Sequence, residues 1–386
     1  MRAPQASKLT RVVLWGTYDT GKPRVRLLRD GLLRNGVEVL EIHSALWQGV
    51  EDKSLVRGLR RWARLAAAAV SAYPRLVRQY LQAPAHDAVL VAYPGMIDLF
   101  VLRMFAWWRR TPLAWDWFLS AYDTIVLDRK LVALRGPAAW GIRFVEWIAA
   151  RLTDVAFMDT AAHARRMERL FGLPQGRLGS VWVGAEESAF RISASTEVDG
   201  SSDSAGRPFS VLFYGQLIPL HGISTIVEAA ALMQEEDVEW LLVGRGQESG
   251  VLADALARHS LPRVRWVEWM DYRRLIDAMQ RADIVLGIFG SSEKAGSVIP
   301  NKVFQAAMAG RPIITRDSPA IRELLREAPP LVQFVPAGDA SALAAAVRLA
   351  KAGLAKRRGT QDLPIVAPFD TAAIGRQLIE VLTPRA

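Results

Sequence analysis

The sequence contains no cysteine among its 386 residues. Disulfide bonds, thiolate metal sites and cysteine nucleophiles are therefore excluded. It also lacks any apolar run of the roughly 18 uncharged residues needed to span a membrane, and its N-terminus leads directly into a predicted strand. We expect a cytoplasmic protein that neither crosses a membrane nor is exported by a signal peptide.

Metal-binding patterns are scarce as well. The histidines are scattered, with no pair three or four residues apart, and no clear Asp-x-Asp stands at the end of a predicted strand. We therefore expect no metal site.

The composition is that of a globular protein, because 51% of the residues are hydrophobic and 23% are charged. At about 150 residues per domain, the length predicts two or three domains, and we favour two. The net charge is +10, and nearly all of the excess lies in the N-terminal half.

Short apolar runs alternate with helical patterns along the whole chain, which predicts an α/β fold with parallel sheets covered by helices. A first series of strands is predicted at Arg11–Gly16, Val37–Ile42, Ala88–Tyr93, Leu113–Asp116 and Val155–Met158. A second series is predicted at Ser210–Tyr214, Trp240–Val243, Arg265–Val267, Ile284–Gly287, Ile313–Thr315 and Leu331–Val335. The chain thus holds two similar units in tandem.

The boundary between these units is predicted at residues 191–209, which are rich in Ser, Gly and Asp and form a linker or exposed loop. We assign residues 1–190 to the N-terminal domain and 210–366 to the C-terminal domain. Residues 367–386 are predicted to form a helix that packs back on the N-terminal domain. In open sheets of this kind ligands bind at the carboxyl ends of the strands.

The block Val211–Ala229 predicts a buried strand that ends at Gly215 and a helix that begins near Gly222. Backbone N–H groups and a helix N-terminus at such a turn suit a phosphate, although an ordinary strand-to-helix turn has the same spacing. Arg245, in a loop after the next strand, either contacts phosphate or is solvated. Neither half has a full G-x-G-x-x-G fingerprint, so a nicotinamide dinucleotide is not favoured.

A third block, Gly287–Asp317, leads through Pro300 into a helix with Lys302 in its first turn. Because the helix dipole disfavours a cation there, an anionic ligand would relieve the repulsion. We favour diphosphate binding by Lys302 over a solvated lysine. Gln305, one turn later, would face the same ligand.

These blocks resemble the C-terminal domain of the GT-B fold glycosyltransferases, in particular the retaining family 4 group. The family's G-R-L-x-x-x-K-G motif corresponds to Gly215–Gly222, where Gln216 replaces its Arg and His221 replaces its Lys. The resemblance implies two Rossmann-like domains that face each other across a cleft. It further implies transfer of a sugar from a nucleoside diphosphate sugar to an acceptor hydroxyl, without a metal or another cofactor.

The family's paired glutamates fall on Ser297 and Gln305, so both acids are absent. The amide of Gln305 can still hydrogen-bond ribose hydroxyls, whereas the donor-sugar contacts at Ser297 are left open. Between the two, the family holds the diphosphate with backbone N–H groups; Asn301 is a candidate donor-binding residue in this segment, and Pro300 cannot donate an N–H. Lys302 is the candidate for the missing donor.

The resemblance also extends to the N-terminal domain, where residues 11–42 look like the family's first strand, cleft loop and helix. Gly21 would let this loop approach the donor closely. For the catalytic group we choose Asp116, which lies at a strand end among tryptophans, with Asp123 as the second choice. Either carboxylate could instead cap the next helix.

A basic amphipathic stretch at residues 53–81, interrupted by Pro74, contains most of the excess charge. It fits an anionic membrane surface or covers its own core equally well. Its candidate membrane or acceptor residues are Arg57, Arg60, Arg61, Trp62 and Arg64. The resemblance implies a glycan or lipid-linked acceptor here, while nucleic acid is disfavoured because no RNA-binding or helix-turn-helix signature is present. Rival functions are an epimerase or hydrolase of the same fold and a catalytically silent binding subunit.

Overall fold

The computed structural model describes residues 9–46, 59–187, 207–325, 332–357 and 369–383. The chain divides into two compact units. One unit extends to Gly184 and resumes at Phe369, and the other comprises Ala185–Pro368. The predicted linker lies outside the described residues as far as position 206, and its last residue, Phe209, already belongs to a strand.

The first unit contains a sheet of six parallel strands in the order β2-β1-β3-β4-β5-β6. Their bounds are β1 Arg11–Gly16, β2 Glu38–His43, β3 Ala88–Val91, β4 Leu113–Asp116, β5 Val155–Met158 and β6 Leu178–Ser180. The two central strands, β3 and β4, are buried at every residue, as expected for a parallel sheet covered on both faces. Strand β6 was not predicted, because its three residues at the sheet edge produce no apolar run.

Helices cover both faces of this sheet. Their bounds are α1 Pro23–Arg34, α2 Leu59–Gln82, α3 Met96–Trp108, α4 Pro137–Leu152, α5 Ala161–Phe171 and a C-terminal helix Thr371–Leu382, with a π-helix at Tyr122–Asp128. Each of the connections through α2 to α5 moves along the sheet in the direction of β6, while α1 moves the other way. Because such crossovers are right-handed, α2 to α5 share one face and α1 lies on the other.

The C-terminal helix packs against α1 through two glycines. A Cβ on Gly375 would lie 2.0 Å from the carbonyl oxygen of Gly31, so only glycine permits this approach. Asp370 caps the helix by accepting a hydrogen bond from the Ala373 N–H at 2.6 Å. The helix is therefore part of the first unit although it follows the second in sequence.

The second unit contains another parallel sheet, with the order β12-β11-β10-β7-β8-β9. Its strands are β7 Phe209–Tyr214, β8 Val238–Val243, β9 Val264–Val267, β10 Ile284–Leu286, β11 Ile313–Arg316 and β12 Val332–Val335. A 3-10 turn occupies Pro219–His221, and the helices are α6 Ile223–Ala231, α7 Ser249–Arg258, α8 Tyr272–Arg281, α9 Glu293–Ser297, α10 Asn301–Met308, α11 Pro319–Leu324 and α12 Ala340–Arg357. The strand order reverses between β7 and β10, which is the position where such sheets bind ligands.

The predicted α/β class with two Rossmann-like units is confirmed. The predicted interruption at Pro74 is wrong, because α2 continues through it from Leu59 to Gln82. Pro74 is exposed. The helix therefore lacks one backbone hydrogen bond only on its solvent side, where water can satisfy the free carbonyl. Within the described ranges, no helix is both long and apolar enough to cross a membrane.

Candidate functional site

The loops that follow β7 and β10 interlock at the switch point of the second sheet. The Phe289 N–H donates to the carbonyl of His221 at 3.1 Å, and the Gly290 N–H donates to the carbonyl of Leu220 at 3.2 Å. Gly222 has a φ of 66°, and a Cβ there would lie 2.6 Å from the Gly290 nitrogen. The two loops therefore form one tightly packed backbone edge around a glycine that no other residue can replace.

Lys302 lies at this edge as the second residue of α10. Its Nζ is 3.8 Å from the centroid of the Phe213 ring, and the residue is only 4% exposed. The amine has no hydrogen-bond partner among the described residues, and burial lowers the pKa of Lys302 well below its ordinary value. A buried amine without a counter-charge is destabilising on its own, so it indicates a site for an anion.

Gly215 brings Lys302 and His221 together. Its φ is 138°, and a Cβ at this position would lie 3.1 Å from His221 Cε1 and 3.3 Å from Lys302 Nζ. His221 Nδ1 hydrogen-bonds the carbonyl of Gln216. Since a carbonyl only accepts, Nδ1 carries a proton in this contact. Three of the predicted donor-binding residues therefore meet at one point.

Gln305 lies one turn after Lys302 and contacts the end of β7. Its Oε1 accepts a hydrogen bond from the Tyr214 hydroxyl at 2.7 Å, and burial raises the pKa of Tyr214 well above its ordinary value. The tyrosine therefore stays a donor, which fixes the amide orientation and leaves the Gln305 Nε2 as the group that faces outward toward Tyr272. Asn301, the first residue of α10, is exposed.

Ser297 is buried at the end of the short helix α9, where its hydroxyl donates to the carbonyl of Lys294 at 2.9 Å. Arg316, which the sequence analysis missed, stabilises the preceding loop from the end of β11. Its Nη1 donates to the carbonyl of Gly290 and, at 3.4 Å, to that of Ser292. Its place at a predicted strand end on the same sheet edge was the signal available in the sequence.

The remaining predicted donor residues are less enclosed. Gln216 and Arg245 have exposed side chains, and the carbonyl of Arg245 accepts the Leu217 N–H at 3.2 Å. Gly21 belongs to the first unit, in the loop after β1, where its N–H donates to Asp19 Oδ1 at 3.0 Å.

Asp116 forms a buried ion pair with Arg24. Nε of Arg24 lies 2.9 Å from both carboxylate oxygens, and Nη2 lies 2.8 Å from Oδ1. The side chains are 0% and 2% exposed. Burial raises the pKa of Asp116, and Arg24 opposes that shift. The Arg24 guanidinium is thus committed to Asp116 and, through Nη1, to the Val181 carbonyl at 3.0 Å.

Asp123 is also fully buried and lies in the first turn of the π-helix. Its Oδ1 accepts a hydrogen bond from Arg166 Nη2 at 2.7 Å, and its N–H donates to the Ser120 hydroxyl at 3.0 Å. Both candidate catalytic carboxylates therefore contact arginines, and their catalytic role stays a prediction.

Glu146 is a buried carboxylate that the sequence analysis did not single out. It accepts hydrogen bonds from Trp117 Nε1 at 2.7 Å, the Ser120 hydroxyl at 2.9 Å, and the N–H groups of Ala121 and Tyr122 at 2.8 and 3.0 Å. Burial raises its pKa, and these four donors oppose the shift. Glu146 therefore fastens the segment after β4 to helix α4.

Another pair that was not predicted lies at the end of β5, where His163 Nδ1 is 2.6 Å from Asp159 Oδ1. His163 is fully buried, and its Nε2 has no described partner. Its sequence signal was the Thr160 N-cap of α5, which accepts the His163 N–H at 2.9 Å and turns the imidazole back toward the strand end.

The predicted membrane residues fall at the start of α2. Arg57 lies outside the described residues, while the others lie in the helix but without described side chains. They are Arg60, Arg61, Trp62 and Arg64. Within the part of the chain that the structure describes, no group of three or more histidines or carboxylates is placed to hold a metal ion.

Comparison with solved structures identifies the class of fold. The chain is similar to HepE of Anabaena in complex with UDP, with a TM-score of 0.60 at 14% identity over 97% of this chain and 99% of HepE. It is also similar to the lipopolysaccharide outer core galactosyltransferase WaaB, with a TM-score of 0.56 at 10% identity over 97% and 99% of the two chains. The protein has the GT-B glycosyltransferase fold.

Sequence comparison finds a family match in the second unit. Residues 208–350 match the family model of the group 1 glycosyl transferases. A chitobiosyldiphosphodolichol beta-mannosyltransferase of Eremothecium gossypii is 24% identical over 278 residues, which cover 65% of this chain and 58% of that enzyme. The matched region spans little more than half the length of that relative.

Proposed function

We propose that the protein is a glycosyltransferase that moves a sugar from a nucleoside diphosphate sugar to a hydroxyl of a glycan acceptor. The main support for this proposal is Lys302, whose buried amine lies unpaired at the switch point of the second sheet, within the region that matches the group 1 glycosyl transferases. A diphosphate would provide the negative counter-charge that the Lys302 amine lacks. Structural neighbours that bind UDP and UDP-glucose support this choice of ligand.

The chemistry follows from where negative charge develops during transfer. As the glycosidic bond breaks, charge accumulates on the leaving diphosphate, and Lys302 with the imidazole of His221 would stabilise it next to Gly215. Electrostatic stabilisation of this kind, together with positioning, accounts for most of the rate enhancement in such sites. Gln305, already oriented by Tyr214, would hydrogen-bond the ribose.

We further propose that transfer retains the anomeric configuration, as in the resembled family 4 enzymes. The proposed acceptor is a lipid-linked glycan used in the assembly of cell-surface polysaccharide. The name of the Eremothecium gossypii relative, which includes a diphosphodolichol-linked chitobiose, supports a lipid-linked acceptor. The basic residues at the start of α2 support a location of the enzyme at the anionic cytoplasmic surface of a membrane during transfer. No metal or other cofactor is part of the proposal.

A panel of nucleoside diphosphate sugars tests the proposal, first by thermal shift and then by turnover with and without lipid-linked acceptor. A donor at a hundredfold excess over its Kd adds about 2.7 kcal/mol of stability. We expect at least one donor to stabilise the protein and to be consumed only when acceptor is present, with the sugar recovered on the acceptor.

The rivals give different products. A hydrolase or epimerase consumes the donor without acceptor, releasing free sugar or an altered sugar nucleotide. A silent binding subunit shows the thermal shift but no turnover with any acceptor, and the loss of the family's first acid at Ser297 makes that outcome worth testing. Absence of any shift across the panel contradicts nucleotide-sugar binding altogether.

A further inference from the structure

Helix α3 presents a wholly apolar outer face. Its exposed large residues recur at helical spacing and fall within an arc of about 100°: Ile97, Phe100, Met104, Trp107 and Trp108. Trp107 and Trp108 are 72% and 68% exposed. The opposite side of the helix fills the sheet core with Leu99, Leu102 and Ala106, so the core of the first unit does not need the outer face.

Helix α4 continues this surface. It exposes Trp140, which is 73% accessible, together with Phe144 and Trp147, whose rings stack with centroids 6.2 Å apart. Helices α3 and α4 are neighbours on the same face of the sheet. We call the outer residues Ile97, Phe100, Met104, Trp107, Trp108, Trp140, Phe144 and Trp147 the aromatic face. Apolar surfaces of this extent on soluble proteins mark interaction sites.

The charged side chains that helices α2, α3 and α4 themselves expose are cationic, and Asp154, just after α4, pairs with Arg103 of α3 at 2.7 Å. Helix α2, on the same side of the sheet, contains no acidic residue and exposes Arg75 and Arg78. The only acids of α3 and α4 are Asp98 and Glu146, and both are buried. Arg110 is exposed directly after Trp108 and Arg109. The described outer surface of these three helices therefore combines cations and tryptophans without a carboxylate.

We propose that this surface docks on an anionic lipid bilayer, with the aromatic face inserted at the level of the headgroups. Tryptophan favours this interface because one end of its ring is apolar and its N–H is polar. The arginines of α2 would contact anionic headgroups, each adding attraction. A second copy of this chain fits less well, because two surfaces with an excess of exposed arginines would repel each other when packed together.

This inference deepens the membrane contact included in the proposed function, but it needs no transferase activity. The test is sedimentation of the full chain with vesicles of phosphatidylcholine alone or with about 30% phosphatidylglycerol, an anionic lipid. The variant carries Trp107→Gln, Trp108→Gln and Trp140→Gln. The matched control is Trp269→Gln, a tryptophan that is 67% exposed in the second unit.

We expect the original chain and the Trp269→Gln control to bind anionic vesicles, and the triple variant to lose on the order of 100-fold in partition coefficient as buried apolar area is removed. Binding should weaken with salt, since screening reduces the contribution of the arginines. All four tryptophans are exposed, so the variants should keep their melting temperature.

Equal vesicle binding by the triple variant and the control would overturn the inference. A concentration-dependent dimer that the triple variant abolishes, without vesicle binding by the original chain, would assign the aromatic face to self-association instead. Thermal shift with UDP reports separately on the second unit. Loss of vesicle binding with an unchanged UDP shift therefore supports the docking surface whether or not the proposed transfer is right.

Discussion

Replacing Lys302 by methionine should make the protein more stable and a worse binder of nucleoside diphosphates. Methionine has a similar length and no charge, and it suits a site against the Phe213 ring. In the ligand-free protein the amine is buried and unpaired, so its removal eliminates a desolvation penalty. In the complex the same amine would contact the diphosphate, so its removal weakens binding.

The magnitudes follow from burial and charge. Leaving a buried polar group unsatisfied costs about 1 to 3 kcal/mol, and Lys302 is too enclosed for solvent to reduce that cost much. Melting temperature changes by about 2 to 4 °C per kcal/mol in a domain of this size, so it should rise by several degrees. A charge-assisted hydrogen bond is worth about 1.5 to 3 kcal/mol, which corresponds to an increase in Kd of roughly 10- to 150-fold.

The pH dependence has a definite sign. Burial lowers the pKa of Lys302 in the folded protein, whereas an unfolded lysine titrates near about 10.4. Between these values the unfolded chain holds one proton more, so this residue makes stability rise with pH in that window. The stability penalty is greatest below the lowered pKa and disappears as pH approaches the ordinary lysine value. The methionine variant lacks this slope.

The assay combines thermal melts across this pH range with calorimetric titration of UDP and uridine in two buffers of different ionisation enthalpy. We expect proton uptake when UDP binds the original chain above the lowered pKa, none with the variant, and little change for uridine. Lys351→Met is the matched control, because the Lys351 amine donates to the Asp237 carbonyl near the surface of the same unit. A fall in melting temperature, or equal losses for UDP and uridine, would refute the reasoning.

Three further substitutions test the surroundings. Gly215→Ala places a methyl group 3.1 Å from His221 Cε1, at a residue with a φ of 138°. The substitution should therefore lower the unfolding free energy by more than about 1 kcal/mol and weaken UDP binding. Thermal melts and calorimetric titration measure these two effects. Asp116→Asn leaves Arg24 buried without its counter-ion, and the unfolding free energy should fall by about 3 to 5 kcal/mol in denaturant titrations. An Asp116→Asn protein of normal stability that loses kcat alone would favour the catalytic role instead. Glu146→Gln removes one of two acceptor oxygens that serve four donors, so its denaturant midpoint should fall, and an unchanged midpoint would contradict the role given to Glu146.

Most of the fold could be predicted because parallel strands are buried on both faces and appear as uninterrupted apolar runs. Strand β4, Leu113–Asp116, matches its predicted bounds at both ends. Strand β6, Leu178–Ser180, could not be predicted, since a short edge strand buries little and needs no such run. The continuous helix across Pro74 could not be predicted either. The sequence alone does not show that this proline faces solvent, where its missing N–H is tolerated.

The candidate site was less predictable because its contacts are long-range. Motif spacing identified Gly215 and Lys302, each next to a recognisable strand or helix end. The partner of Asp116, by contrast, lies 92 positions away at Arg24, and no local pattern couples the two. The sequence indicates a carboxylate at a strand end, but only the packing of α1 against that end decides whether the carboxylate meets a ligand or an arginine.

The altered motif has a physical explanation at Gly215. In the resembled family a lysine stands where this chain has His221, so a loop cation is absent. The structure brings Lys302 from helix α10 to within 3.3 Å of the position that a Cβ on Gly215 would take, while His221 approaches the same point to 3.1 Å. A cation supplied by the helix therefore reaches the point that the loop lysine would serve. If this is the compensation, restoring the loop cation with His221→Lys should reduce the loss of UDP affinity caused by Lys302→Met, and additive losses in a double-mutant cycle would contradict it.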